Sequence, residues 1–184
     1  MAIVLGTNAG FVSSAPVDDP GGTAIAVDNF VWANKVTSPG SGNNVTSMGF
    51  WCNNVSEASN FQLGIYSHDG VNNRPNAQLS ASGDTAKGTT AGWKTAAVSW
   101  ECLDGTYWVA AQLDDTATAT DSDYVYDAGE KLDYRSAQTS LPSPWGSSSG
   151  TVGRLYATYA LYEAAAGGLS IPVAMHHRKQ QGMS

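Results

Sequence analysis

Apolar side chains in this chain recur at every second residue, and no segment repeats them every 3.6 residues. A two-residue period belongs to strands, whose side chains point alternately to the two faces of a sheet. Within Val45 to Cys52, Met48, Phe50 and Cys52 share one face; within Phe61 to Tyr66, Phe61, Leu63 and Ile65 do. Both segments read as half-buried strands. Gly92 to Trp100 and Thr106 to Leu113 are two apolar runs around Leu103-Asp104-Gly105, which predicts a hairpin or a corner between two sheets. Trp108 and Val109 fall on opposite faces, so their strand is central and covered on both sides. Arg154 to Tyr162 reads as a last long strand with aromatics on both faces.

Between these runs lie turn signals. His68-Asp69-Gly70 and Asn72 to Asn76 form a loop, because Gly and Asn tolerate positive φ and Pro75 removes a donor. Gln78 to Ser80 reads as a short edge strand, and 136–151 as a loop. About eight to ten strands at this spacing predict an all-β chain, an antiparallel β-sandwich (jelly roll) with extended N- and C-terminal arms. At 184 residues the chain suits one core. We divide it into an N-terminal arm with the first strands (1–44), the sandwich (45–164) and a C-terminal tail (165–184).

Charge limits the partners. The net charge is -7, and the only basic cluster, His176-His177-Arg178-Lys179, is too short for a nucleic-acid surface. No nucleic acid is expected. No apolar run reaches the roughly 18 residues that span a bilayer, and Met1 to Gly6 lacks the pattern of a signal peptide. No membrane is expected, and the sequons at Asn44 and Asn54 read as coincidences. Only 14% of residues are charged, so the surface relies on Ser, Thr, Asn and Gly.

Nothing in the motifs points to catalysis. Gly146 to Gly150 matches G-x-S-x-G but lies in a Pro-, Ser- and Gly-rich loop, not on the strand-to-helix turn that exposes a nucleophile. His68, His176 and His177 have no ligand partners at metal-site spacing. No cofactor is expected; the acidic stretches Asp114-Asp115 and Asp121-x-Asp123 leave a structural calcium as the one metal to consider. Four Glu (57, 101, 130 and 163) stand without a supporting motif, so no catalytic residue is assigned.

Trp51, Trp93, Trp100 and Trp108 sit in strand patterns and read as core. Trp145, Tyr124, Tyr126 and Tyr134 lie in or near loops and are candidates for sugar stacking or for a protein interface, between which the residues do not choose. Cys52 and Cys102 are candidates for a disulfide, provided that their Cα atoms approach within about 7 Å. Otherwise each packs as a small apolar side chain.

The stretch Phe61-Gln62-Leu63-Gly64-Ile65-Tyr66-Ser67, then Arg74-Pro75, Gly92-Trp93-Lys94 and Gly105-Thr106-Tyr107-Trp108-Val109-Ala110, resembles a jelly-roll module of phage virion proteins and bacterial surface proteins. The resemblance covers Val45 to Leu113 and implies fold more strongly than role. It implies a non-catalytic virion structural protein, a capsid decoration or head/tail fibre subunit. Such a subunit associates with itself, as a trimer or other symmetric oligomer, and docks through its arms on a major capsid or tail protein lattice. It would be made in the host cytoplasm and reside in the virion. The alternative is a carbohydrate-binding β-sandwich module that adheres to host or environmental glycans.

Overall fold

The computed structural model describes residues 2–53, 57–114, 120–129 and 131–165. Every structural statement below concerns those residues. They form strands without helices: β1 (Gly10–Val12), β2 (Thr23–Ala26), β3 (Phe30–Thr37), β4 (Asn43–Cys52), β5 (Asn60–Asp69), β6 (Arg74–Ala81), β7 (Thr85–Ala86), β8 (Gly92–Glu101), β9 (Thr106–Leu113), β10 (Asp121–Tyr126), β11 (Leu132–Ser136), β12 (Gly150–Val152), β13 (Arg154–Tyr156) and β14 (Thr158–Ala164). The main sheet runs β12-β11-β3-β9-β5-β6, with β7 also on β5. A second sheet runs β1-β14-β4-β8, and a small third one runs β13-β10-β2. The chain is an antiparallel β-sandwich in which β1 and β14 make the one parallel pair.

Alternation explains the core. Phe61, Leu63 and Ile65 of β5 meet Met48, Phe50 and Cys52 of β4 between the two large sheets, joined by Trp32, Val109 and Leu113. Burying an aliphatic or aromatic side chain of this size contributes about 1.5–3 kcal/mol, and Phe50 adds edge-to-face contacts with Trp32 and Phe61. As expected from Trp108 and Val109, β9 is central, paired with β3 on one side and β5 on the other. Trp108 belongs to a separate cluster on the outer face, with Val31, Ala33, Tyr66 and Ala110. The loop 137–149 folds over that face and closes it with Leu141 and Trp145.

The structure decides one connection that the sequence leaves open and corrects one strand. The Asp104-Gly105 turn is a corner, since β8 and β9 lie in different sheets. The segment read as one final strand is two: β13 pairs with β10 in the small sheet, and β14 pairs with β4 in the second. The switch falls at buried Ala157, whose N–H is taken by the Asp123 carbonyl at 3.1 Å and whose carbonyl accepts from Trp51 at 2.9 Å. Satisfying both groups lets the strand change sheets without an orphaned backbone polar atom.

The N-terminal region is also more integrated than a free arm. β3 is internal to the main sheet, and Ile3 and Ala9 pack with Trp51, Leu155 and Ala157 on the outer side of the second sheet. Residues 13–22 are the extended part, tied down where Trp93 Nε1 donates to the Asp18 carbonyl at 3.0 Å. The C-terminal tail from 166 onward, including His176 and His177, lies outside the described residues.

Cys52 and Cys102 are free and buried, so the disulfide is not formed. The register gives the reason. Cys52 ends β4 opposite Gly92, whereas the Cys102 N–H donates to the Asn43 carbonyl at the other end of that ladder. Nine residues of strand separate the two sites, roughly 30 Å at 3.3 Å per residue, far beyond the reach of a disulfide.

Candidate functional site

Of the four aromatics singled out above, three lie on strands: Tyr134 of β11 lines a cleft, and Tyr124 and Tyr126 of β10 adjoin it through their contacts with Arg154 and Tyr156; Trp145 does not. On β10, Tyr124 and Tyr126 are two residues apart and therefore face the same way. Their partners across the β10–β13 ladder are Tyr156 and Arg154. Tyr124 stacks on Tyr156 with ring centroids 5.6 Å apart, and Tyr126 meets Tyr124 edge-on at 5.1 Å. The Arg154 guanidinium lies over both β10 tyrosines, 4.4 Å from the Tyr124 centroid and 5.2 Å from that of Tyr126. It also donates to the Tyr126 hydroxyl at 3.3 Å.

Arg154 and Tyr156 are on one wall of a cleft of about 260 Å³ that opens between the small sheet and the main one. Its floor is apolar, with Ile25, Val27, Trp32 and Leu132, and Tyr134 and Phe30 stand at 6.0 Å from each other on the opposite wall. Tyr134 can lie across β12 because Gly150 has no side chain: a Cβ there would sit 2.7 Å from the Tyr134 hydroxyl oxygen. The volume is at the small end of ligand sites, enough for one ring to enter.

Three properties of the cleft and of the aromatic cluster beside it bear on what they could bind. Tyr126 is 72% exposed, a large aromatic held in a fixed orientation at the surface. The Arg154 Nε atom is buried and has no hydrogen-bond partner among the described residues. A buried unsatisfied donor costs about 1–3 kcal/mol. The Tyr126 phenol is held below its ordinary range by the Tyr124 hydroxyl first and by Arg154 second. The arrangement offers an aromatic face, a cation and two phenolic hydroxyls over an apolar floor, a combination suited to a ring with polar edges.

Trp145 is a correction. It is fully buried in the outer cluster, edge-on to Tyr66 at 5.0 Å, with its indole N–H bonded to Asp133 at 2.8 Å. It can stack on nothing from outside. The Pro- and Ser-rich composition around it correctly marks a loop, but that loop is a lid on the main sheet. Ser148 of the G-x-S-x-G match is likewise engaged, donating to Asp133 at 2.7 Å. Arg154, Tyr156 and Phe30 were not singled out by sequence, although the facing pairs Tyr124-x-Tyr126 and Arg154-x-Tyr156 carry the signal once the ladder is known.

Among the acidic residues considered for calcium, Asp123 accepts from Asn53 at 2.9 Å and Asp114 from Gln112 at 3.0 Å, while Asp115 lies outside the described residues. No group of three His, Cys, Asp or Glu side chains converges among the described residues. No protein-family model, no curated protein and no solved structure matches the chain.

Proposed function

We propose that this chain is a non-catalytic structural subunit of a virion, a capsid decoration or head/tail fibre protein that associates with copies of itself and with a capsid or tail lattice. The observation that carries the reading is the free edge of the small sheet. β2 is its terminal strand, has the uncharged sequence Thr23-Ala24-Ile25-Ala26, and is largely exposed. Natural sheets blunt such edges with charge, proline or brevity; β2 is short, at four residues, but carries neither charge nor proline, and a bare edge can take a strand from a neighbour. The low charge content and the resemblance of Val45 to Leu113 to virion jelly-roll modules support the same reading.

The test is light scattering across a hundredfold concentration range, on the native chain and on Ala24→Lys, together with sedimentation of source particles. A discrete, concentration-independent oligomer that the charged edge dissociates, and co-sedimentation of the chain with particles, are expected. A monomer at every concentration that is also absent from the particle fraction overturns the reading.

A second reading, a carbohydrate-binding module that adheres to glycans, is favoured by the tyrosine–arginine cleft. Its check is a shift in tryptophan fluorescence on adding neutral polysaccharides, since Trp32 lies on the cleft floor. Both readings hold together if a fibre or decoration subunit carries the glycan site.

A further inference from the structure

A second cleft, remote in character from the tyrosine site, gathers positive charge in an acidic protein. It is open, about 660 Å³, and lined by Lys35, Asn73 and Lys131 with Thr37, Thr106 and Thr151. The chain has only nine Lys and Arg against sixteen Asp and Glu, yet two of the nine are placed side by side. The Lys35 N–H donates to the Lys131 carbonyl at 2.9 Å, which continues the β3–β11 register, Asn34 opposite Leu132, by one residue. Like charges directly opposite each other across a ladder repel and destabilise it.

Among the described residues no carboxylate forms an ion pair with either lysine, the one such pair being Arg74 with Asp69 at 3.6 Å; the buried Asp133, two residues along in β11, feels the Lys131 charge without contacting it. Both ammonium groups are instead held by one neutral residue. Lys35 Nζ donates to Asn73 Oδ1 at 3.0 Å, and Lys131 Nζ to the Asn73 carbonyl at 2.6 Å. Asn73 itself is in the left-handed region, at φ 51°. Asp69, the nearest acid on that hairpin, is spent on its own turn, accepting from the Val71 and Asn72 N–H groups at 3.0 and 3.1 Å and from Asn72 Nδ2 at 2.7 Å. The hairpin thus delivers an amide to position the two cations and keeps its carboxylate away.

The geometry points to a binding site for an acidic saccharide, a sugar ring whose carboxylate lies between Lys35 and Lys131 while its hydroxyls meet the threonine-rich wall. Two ammonium donors each keep unused hydrogens for a shared anion, the three threonines exchange hydrogen bonds with hydroxyls, and the volume accommodates more than one ring. This inference is independent of the tyrosine cleft and of assembly, and its failure leaves both untouched.

The experiment is titration calorimetry of the full chain with hexagalacturonate, with its neutral methyl ester, and with inorganic phosphate, on the native protein, on Lys35→Gln/Lys131→Gln and on Tyr126→Ala. Binding of the acid form, weakened at least about tenfold by the ester, by the double substitution and by high salt but not by Tyr126→Ala, is expected. Circular dichroism checks that the variants are folded; removal of the like-charge pair should leave the melting temperature equal or higher. Lys131→Arg, which keeps the charge, should bind within a few-fold of native. Equal binding of acid and ester, equal binding by the double variant, or phosphate as tight as the sugar overturns the inference. So does the absence of heat with hexagalacturonate, a hyaluronate hexamer and sialyllactose, each at on the order of 10 mM.

Discussion

Trp145 gives its indole N–H to one oxygen of Asp133 at 2.8 Å while both side chains are sealed from water. Ser148 occupies the other oxygen at 2.7 Å, and the Arg135 guanidinium reaches the Trp145 carbonyl. A loop with little regular structure is thereby clipped to β11 by one carboxylate, and its aromatic completes the second hydrophobic cluster. Trp145→Phe keeps much of the apolar area but strands a buried carboxylate oxygen. It should cost about 1–3 kcal/mol, measured by urea denaturation, with no change in binding at the tyrosine cleft.

The same carboxylate gives stability a pH dependence. Burial, the dominant cause, raises the Asp133 acid above its ordinary value, against the hydrogen bonds from Ser148 and Trp145. A raised acid binds its proton more tightly when folded, so ionising it opposes folding. Its cost is present above the folded pKa and disappears as the pH falls toward the ordinary carboxylate value of about 3.9. Relative to Asp133→Asn, the native chain should therefore gain melting temperature as the pH falls from neutral toward that range. Identical pH profiles for the two proteins would contradict the assignment.

Both thiols should be silent in the native state. Burial pushes the Cys52 thiol up to about 11 and raises that of Cys102 as well, and only the thiolate reacts. A disulfide-exchange reagent should count no thiols in the folded chain and two in denaturant, with a rate set by unfolding. Immediate labelling at neutral pH would mean that the β4 end or the β8–β9 corner opens readily.

Gly49 faces Tyr159 across the β4–β14 ladder, and a Cβ on it would fall 2.7 Å from the tyrosine ring. Tyr159 is also fixed edge-on against Trp93 at 5.2 Å, so it cannot step aside freely. Gly49→Ala should destabilise by about 1–3 kcal/mol through overpacking, and the near-ultraviolet circular dichroism of the Trp93 cluster should change with it.

Tyr126 is exposed enough that its removal leaves the core alone. Tyr126→Ala should leave the unfolding midpoint nearly unchanged and abolish the fluorescence response to neutral polysaccharide. Arg154→Lys should weaken that response while retaining charge, because an ammonium does not reproduce a planar guanidinium over two rings. A response that survives both substitutions would move the sugar site elsewhere.

The strand pattern was legible because one face of β4 and β5 is buried, which forces Met48, Phe50, Phe61 and Leu63 into a strict alternation. The central position of β9 was legible for the same reason, from apolar residues on both faces. Trp145 was not, since a lid loop has no period and its burial depends on a partner, Tyr66, almost eighty positions away in sequence. Arg154 escaped notice because its role comes from cross-strand register, which is decided only when β13 leaves the path of β14. The two cysteines illustrate the limit from the other side: a shared ladder suggests proximity, and only the direction of the pairing places them at its opposite ends.

The parallel pairing of β1 with β14 has a consequence in time. Gly10 to Val12 lie beside Tyr159 to Leu161, and β14 separates β1 from β4. A nascent chain therefore makes β1 149 positions ahead of the strand it pairs with among the described residues, since Gly10 lies opposite Tyr159. Until residues near 160 leave the ribosome, β1 has no ladder partner, β4 has one bare flank, and Phe11 lacks the completed sheet that buries it. The sandwich is sewn shut by β14, and synthesis itself keeps the seam open until then.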